Sequence, residues 1–473
     1  MLEIKGKYTT AKIMIDDVEE SALTQVYNLV SHPAFTEPIV MQVDIHTGAS
    51  APIGFTMPLT EKIVPNVVSV DIGCGMLSVN IGKDFTINKD KLLKIDEKIR
   101  NVVPMGSNLM QKSAVKSKFF EKNFDWTGTN DLAKNFIVSY NKKFKTNFSA
   151  IEFTYDWFMK KCKDLGLRQD AELGIGTLGG GNHFIEIGLS DTYGNFWITV
   201  HTGSRNFGKM VCDYHMRVAK KNLDNKRNVS LKLEIENIRK NFSGEEIVKQ
   251  IKDAKKELGI DFDINMSGME YLENQCAIDY YMDMIFAQAY AKFNRAIIID
   301  KILKVVSAKE EERIESIHNY INFEDMIIRK GAITSYIGEK MIIPFSMKDG
   351  MLICEGKSNP EWNYSANHGA GRTMSRGEAN RKIDLVDFEF SMKGIVSTSV
   401  CKSTIDESCF AYKNPKMIEA AIAPTATIID RVKPILNLKD GGDSMTWKER
   451  KEKQKVEKNR DLNRREMRKV KGR

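Results

Sequence analysis

The chain has 473 residues, of which 42% are hydrophobic and 28% are charged. This length exceeds the ~250–300 residues over which one hydrophobic core usually extends, so we expect a large α/β body with insertions, or two domains. No apolar run reaches the ~18 residues of a membrane-spanning helix, and the N-terminal residues read as a strand rather than a signal peptide. The seven cysteines have no regular spacing, which predicts a reduced, cytoplasmic protein without a membrane partner.

The net charge of +8 is concentrated at the C-terminus. Residues 448–473 contain 13 Lys or Arg and 5 Asp or Glu, so this tail carries the whole excess of positive charge. A basic tail is typical of proteins that bind RNA or another anionic partner, although a solvated extension has the same composition. Gly441-Gly442 is the expected hinge, which divides the chain into a domain over 1–440 and a basic tail over 441–473.

The hydrophobic pattern predicts both strands and helices. Short strands and turns are expected over residues 1–80, followed by mostly helical segments at about 84–168 and 209–265. The sequence therefore predicts an α+β fold, in which two helical insertions interrupt one large mixed-sheet domain. Apolar residues at helical spacing predict helices at Lys89–Val102, Ala150–Leu165, Leu231–Lys252 and Met269–Lys301.

Two motifs near the N-terminus place polar residues at predicted strand ends. Asp44 and His46 lie two residues apart, so on a strand both side chains point to the same face. Asp71 and Cys74 lie three residues apart in a turn that contains Gly73, close enough to reach one metal ion. A carboxylate oxygen and a thiolate sulfur form a donor set of intermediate softness. Each motif alone is also typical of a structural pair or a capped turn.

A glycine-rich run over residues 174–181 leads into a predicted strand. The run matches the spacing of a dinucleotide fingerprint, but it opens a strand rather than a helix, so we do not expect a Rossmann site. On this strand His183 faces one side, and the opposite side carries Asn182, Phe184 and Glu186. A loop of this kind before a histidine can still hold a nucleotide phosphate.

Three further histidines stand beside small or polar residues. His201 follows the predicted strand Phe196–Val200, His318 precedes Asn319, and His368 lies within the sequence NHGAGR. Glycines allow close backbone approach to a ligand, and successive N–H groups in such a turn form an anion site. A neutral imidazole beside a phosphate can donate a proton, bind a metal ion or attack phosphorus, and the residues alone leave these roles open.

These side chains together provide enough donors for two metal ions. A bridging thiolate can hold two ions at the ~3.5–4 Å that is typical of phosphoryl-transfer sites. Zinc, cobalt and manganese all accept imidazole, carboxylate and thiolate ligands. No zinc-finger spacing is present, so a closed structural zinc site is not expected. The candidate donors are Asp71, Cys74, His183, His201, His318 and His368.

Five of these motifs resemble those of the RtcB-type RNA-splicing ligases, and they occur in the same order as in that family. The resemblance extends from about Asp44 to Lys439. It implies an α+β RtcB-like fold with two Mn²⁺ ions. It also implies GTP-dependent joining of RNA 2′,3′-cyclic phosphate or 3′-phosphate ends to 5′-hydroxyl ends. The motifs are DIGCGM from Asp71, GNHFIE from Gly181, HTGSR from His201, HN from His318 and HGAGR from His368.

The resemblance implies a role for each matching residue. Asp71, Cys74 and His183 would hold one Mn²⁺, and Cys74, His201 and His318 the other. His368 would be the nucleophile that becomes guanylylated. The residues that would bind the guanine nucleotide are Asn182, Phe184, Glu186, Asn319, Pro344, Phe345, Ser346, Met347, Gly369, Ala370, Gly371 and Lys439. Those that would lie near the RNA ends are Asp44, His46 and Arg205.

The sequence departs from the family pattern after Pro344. Many family members have a second serine in this loop, which contacts guanine, whereas here the loop continues Phe345-Ser346-Met347-Lys348-Asp349. The basic tail also lies outside the resemblance. RNA is the expected partner, in tRNA splicing or RNA repair, with an activating protein as a possible further partner. The alternatives are a metal-dependent phosphoesterase that acts on RNA ends without GTP, and an RNA-binding protein without catalysis.

Overall fold

A computed structural model describes residues 1–85, 88–110, 118–167, 170–257 and 268–441. The basic tail beyond Gly441 lies outside these residues. The described chain forms two main sheets, each packed against helices, which agrees with the predicted α+β class. The helices of the two predicted insertions are present, and most of those from the first pack into the main core.

The first main sheet has six strands. Its second and third strands pair in parallel and the other pairs are antiparallel. The pairing departs from regular register between Met41 and His46, at the end of the third strand. In spatial order the strands are β1 (Leu2–Lys5), β2 (Thr10–Ile13), β3 (Ile39–His46), β4 (Ile53–Pro58), β12 (Ile327–Lys330) and β11 (Asn319–Asn322).

The second main sheet has seven antiparallel strands. One face packs on an aliphatic core that includes Ile185, Ile187 and Ile198, and the opposite face carries polar residues such as Glu186 and Thr199. This is the alternation expected for a strand. In spatial order the strands are β10 (Glu312–Ile317), β6 (Gly75–Asn80), β8 (Phe196–Thr202), β7 (Phe184–Ser190), β17 (Ala426–Leu438), β15 (Met351–Gly356) and β14 (Lys340–Pro344).

The chain crosses between the two main sheets at His318. This residue separates β10, in the seven-stranded sheet, from β11, in the six-stranded sheet. Two short pairs supplement the main sheets: β5 (Lys62–Ile63) with β9 (Leu272–Glu273), and β13 (Ala332–Thr334) with β16 (Ser365–Asn367). Polar residues from both sheets therefore meet where the sheets adjoin.

Thirteen α-helices occur in the described part of the chain. Several begin at a side-chain cap, for example Asn88, Asp125 and Thr154, each of which accepts a hydrogen bond from a backbone N–H of the first turn. The helices are α1 (Glu20–Val30), α2 (Pro65–Val68), α3 (Lys89–Val102), α4 (Phe119–Asn123), α5 (Trp126–Phe144), α6 (Tyr155–Asp164), α7 (Asp170–Leu173), α8 (Arg205–Asn241), α9 (Glu245–Glu257), α10 (Asn274–Val306), α11 (Arg376–Lys382), α12 (Leu385–Ser391) and α13 (Pro415–Ala421). Short 3₁₀ helices occur at Pro360–Trp362, Lys402–Glu407 and Cys409–Ala411.

The helix predictions are confirmed in type and corrected in extent. Helix α3 has the predicted bounds, whereas the helix predicted over Leu231–Lys252 is divided between α8 and α9. The chain breaks there because Gly244 adopts φ +64°, a conformation that favours glycine. The long helix begins at Asn274 rather than Met269, because Leu272 and Glu273 pair with β5 instead.

Helix α10 is the centre of the helical layer. Seventeen of its residues are buried, which is why its apolar residues are spread around the whole helix. Phe286 packs against Phe124, Phe153 and Phe158 from the first insertion, with ring centroids 5.1–5.5 Å apart. Burial of these aromatic side chains stabilises the packing of the helices.

Candidate metal centre and adjoining cavity

Cys74 lies at the centre of a cluster of buried ligand-type side chains. Its Sγ lies 3.5 Å from His183 Nε2 and 3.3 Å from His201 Nε2. Asp71 Oδ2 lies 2.9 Å from His183 Nε2, and His318 Nε2 lies 3.1 Å from His201 Nε2. All five predicted metal ligands therefore meet at one place.

The cluster divides into two donor sets that share one sulfur. One set is Asp71, Cys74 and His183, and the other is Cys74, His201 and His318. Within each set the ligand atoms lie within 4.8 Å of one another. A shared thiolate between two sets of three donors has the composition of a bridged two-metal site.

Strand register brings these residues together. His201 on β8 lies opposite both Met76 on β6 and Phe184 on β7. Cys74 precedes Met76 by two residues and His183 precedes Phe184 by one, so both lie near His201. The backbone N–H of His318 donates to the carbonyl of Cys74 at 2.9 Å. His183 Nδ1 lies 3.0 Å from the carbonyl oxygen of Leu178. This contact fixes Nδ1–H as the donor and leaves Nε2 as a lone pair for the cluster.

Arg295 of α10 hydrogen-bonds to the backbone that carries the cluster. It is fully buried, and its Nη1 donates to the carbonyls of Gly73 and Thr202 at 2.7 and 2.9 Å. These carbonyls belong to the turn that bears Cys74 and to the end of β8. Sequence analysis gave Arg295 no role, although a charged residue within an otherwise buried helix is a signal of such a function.

Burial controls the charge of the cluster. It raises the pKa of the Cys74 thiol well above its usual range, and nearby Asp71 adds to this effect. It lowers the pKa values of His201 and His318 well below the ordinary histidine range, so both imidazoles are neutral. Burial alone would raise the pKa of Asp71, but interactions with His183 and Cys74 outweigh it and lower that pKa. Neutral imidazoles are ready ligands, and a divalent cation would favour the thiolate, so these residues fit a metal pair.

His368 stands beside the cluster. Its ring centroid lies 4.9 Å from that of His318, and its Nδ1 lies 2.7 Å from Asp44 Oδ2. A carboxylate oxygen can only accept, so Nδ1–H donates to Asp44 and the lone pair of His368 is on Nε2. Gly371 has φ +72°, and a Cβ there would lie 2.6 Å from the Asp44 carbonyl oxygen, so glycine is required for this approach.

A cavity of about 500 Å³ opens next to His368. Its wall includes His201 and His318, which connects it to the ligand cluster. Every residue that the resemblance assigned to the guanine nucleotide lines this one cavity: Asn182, Phe184, Glu186, Asn319, Pro344, Phe345, Ser346, Met347, Gly369, Ala370, Gly371 and Lys439.

The cavity also contains residues that sequence analysis gave no role. Arg376, Glu407, Tyr412 and Asn437 all line it, beside Arg372 of the HGAGR motif. Lys439 Nζ donates to Glu407 Oε2 at 2.9 Å, and both residues are buried. Glu407 and Asn437 belong to no glycine-rich or histidine motif, so no local signal in the sequence marked them.

Glu186 lies deep in the cavity wall. It is 3% exposed, and its Oε2 accepts a hydrogen bond from Asn437 Nδ2 at 2.9 Å. Burial raises the pKa of Glu186 to about 8, although Asn437 and Lys439 both act in the opposite direction. This carboxyl group therefore changes its protonation state near pH 8, well above the usual carboxylate range.

The three residues that the resemblance assigned to the RNA ends occupy different places. His46 lines the cavity, whereas Asp44 is fully buried beneath His368. Arg205 is not part of the cavity wall: its Nη2 donates to the Gly106 carbonyl at 3.0 Å and its Nε to Thr177 Oγ1 at 3.1 Å.

Comparison with known proteins agrees with this geometry. Residues 25–440 match the family model described as "tRNA-splicing ligase RtcB". The chain belongs to the RtcB family. It is 26% identical to "RNA-splicing ligase RtcB" of Escherichia coli (strain K12), a match that covers 89% of this chain and 95% of that relative. The "tRNA-splicing ligase RtcB" proteins of Thermococcus kodakarensis and Archaeoglobus fulgidus are 25% and 23% identical, and 94% and 92% of their lengths are covered.

Membership of the RtcB family confirms three predictions: the family itself, the RtcB-like α+β fold, and an enzyme of the RNA ligase class. The matched region ends at residue 440, close to the start of the basic tail. Among the described residues, no helix has both the length and the apolar character that spanning a membrane requires.

Proposed function

We propose that this RNA ligase depends on GTP and Mn²⁺, and that it joins RNA 2′,3′-cyclic phosphate or 3′-phosphate ends to 5′-hydroxyl ends through a guanylylated His368. One observation carries the proposal. His368 has a buried carboxylate on its Nδ1 side and stands between a two-metal donor cluster and a nucleotide-sized cavity. These are the elements that nucleotidyl transfer to a side chain needs.

We assign one Mn²⁺ to Asp71, Cys74 and His183, and the second to Cys74, His201 and His318. The support is the donor set, in which neutral imidazoles and a carboxylate surround one shared sulfur. When bound, the two ions neutralise phosphate charge and make phosphorus more electrophilic. The identity of the ion as manganese follows the family resemblance.

His368 is the proposed nucleophile. Asp44 accepts the Nδ1–H bond, which leaves the Nε2 lone pair to attack the α-phosphorus of GTP. A phosphorus–nitrogen bond forms, and the bond to pyrophosphate breaks. The RNA 3′-phosphate oxygen then displaces Nε2 from phosphorus, and the 5′-hydroxyl oxygen finally attacks the RNA phosphorus and releases GMP. A cyclic phosphate must first be opened by water.

The cavity residues are proposed to hold the guanine nucleotide. Glu186 is suited to accept the N–H edge of guanine, and Lys439 with the turn Gly369–Gly371 supplies donors for oxygen atoms. We place His46 and Arg205 near the RNA ends, and we assign Asp44 to His368 because its buried carboxylate contacts that ring. A reduced compartment such as the cytoplasm suits a protein that needs the Cys74 thiolate.

A ligation assay with two short RNAs tests the proposal. One RNA carries a 3′-phosphate and the other a 5′-hydroxyl, and the reaction is run with Mn²⁺ and each of GTP and ATP. We expect a joined product that requires Mn²⁺ and GTP and is lost in His368→Ala. Release of phosphate from the 3′ end without joining would support the phosphoesterase instead, and RNA binding without any turnover would support a non-catalytic protein.

A further inference from the structure

A row of polar side chains crosses the cavity face of the seven-stranded sheet. Asn437 on β17 lies directly opposite Glu186 on β7, which lies opposite Thr199 on β8, which in turn lies opposite Ser78 on β6. All four residues are buried. At the β6–β8 end the two hydroxyl groups are partners of each other, because Ser78 Oγ and Thr199 Oγ1 form a hydrogen bond at 2.6 Å. At the β7–β17 end the row adjoins the cavity.

The side-chain amide of Asn437 uses only one of its two polar atoms in hydrogen bonds to the described residues. Its Nδ2 donates to Glu186 Oε2 at 2.9 Å. In this arrangement the amide oxygen Oδ1 is directed away from Glu186. Oδ1 is buried and has no partner within the described part of the chain. A buried acceptor without a donor destabilises the fold, which is typical of a group reserved for a ligand.

The loop after β14, which also lines the cavity, is less suited to recognising a base. Its one serine, Ser346, is already engaged, because its Oγ bonds to Asp349 Oδ2 at 2.5 Å and also accepts from two backbone N–H groups. The second serine expected in this loop is absent. Asn437 Oδ1, by contrast, is not engaged by any described residue.

We propose that Asn437 is a specificity-determining residue, whose Oδ1 accepts a hydrogen bond from the exocyclic 2-amino group of guanine while Glu186 accepts one from guanine N1–H. This inference rests on the proposed function, because it requires a guanine nucleotide in the cavity. Guanine presents these two donors side by side. Hypoxanthine has N1–H without the 2-amino group, and adenine has neither donor. Two acceptors on adjacent strands therefore match guanine alone among the three bases.

Nucleotide binding to the metal-loaded full chain tests the inference. GTP, ITP and ATP are compared by calorimetry with His368→Ala as the background, so that no covalent product forms. The GTP-to-ITP affinity ratio reports the 2-amino group, and the ITP-to-ATP ratio reports N1–H. One missing hydrogen bond to a neutral acceptor corresponds to about a tenfold loss of affinity. We expect Asn437→Leu to bring the GTP-to-ITP ratio to within about twofold of one and to leave the ITP-to-ATP ratio unchanged.

The controls separate the possible failures. Asn135→Leu makes the same change on the exposed face of α5 and should alter neither ratio. If the unfolding temperature of Asn437→Leu differs from that of the wild type, Asn437→Ala is used in its place. An unchanged GTP-to-ITP ratio in the folded variant would overturn the inference, and so would the loss of both ratios, since Asn437 would then act only through Glu186. If none of the three nucleotides binds to the protein that retains Asn437, the proposed function itself fails.

Discussion

Replacement of Asp44 by asparagine should disable His368 without dismantling the cavity. The carboxylate is fully buried and lies 2.7 Å from His368 Nδ1. An asparagine amide can present N–H to Nδ1, which moves the imidazole proton to Nε2 and removes the attacking lone pair. Hydrogen bonds that involve a charged partner are worth about 1.5–3 kcal/mol. We therefore expect the rate of guanylylation in Asp44→Asn to fall roughly 10- to 100-fold.

The assay is a single-turnover measurement of protein labelling by α-phosphate-labelled GTP, with GTP affinity measured separately. Affinity should change by less than about threefold, because Asp44 lies beneath His368 and not in the cavity wall. Asp283→Asn is a matched control, since Asp283 is equally buried and lies 2.7 Å from His215 Nε2, away from the cavity. Labelling of Asp44→Asn at the wild-type rate would refute the assigned role of this carboxylate.

Cys74→Ala removes the sulfur shared by both donor sets, so bound Mn²⁺ measured by elemental analysis should fall from about two ions to fewer than one; retention of both would contradict a bridging thiolate. Burial raises the pKa of Glu186 to about 8 from its usual 4.5, so the free energy of unfolding of the metal-free protein should fall as the pH rises between these values, because the unfolded state loses this proton at the lower pH. In denaturant unfolding, Glu186→Gln should show a flatter dependence of this free energy on pH, and equal slopes for variant and wild type would exclude Glu186 as the source. Deletion of 448–473 should weaken RNA binding and reduce its salt dependence, and an unchanged salt slope would exclude the tail from the RNA interface.

The ligand cluster could be predicted from sequence because each member carries a local signal. Cys74 stands beside glycines, and His183 and His201 flank predicted strands; the neighbouring His368 also stands beside a glycine. Chemistry at such positions is recognisable before the fold is known, since strand ends and glycine turns are where ligand sites form. The order of the motifs along the chain then identified the family.

The partners of these residues could not be predicted in the same way. Asp44 and His368 are 324 positions apart, and Asn437 meets Glu186 only because β17 pairs with β7 in one particular register. Register depends on the whole sheet rather than on a local pattern. Arg295 and Glu407 likewise gain their roles from tertiary packing, and a short motif search passes over them.

The proposed mechanism depends on a covalent bond between His368 and the guanine nucleotide. The most direct measurement is to incubate the protein with α-phosphate-labelled GTP and Mn²⁺, beside His368→Ala, and to test the acid lability of any label on the protein. We predict acid-labile label on the wild-type protein and none on the variant, since phosphorus–nitrogen bonds are cleaved by acid. Absence of label on the wild-type protein with GTP and with every other nucleotide would contradict the mechanism proposed here.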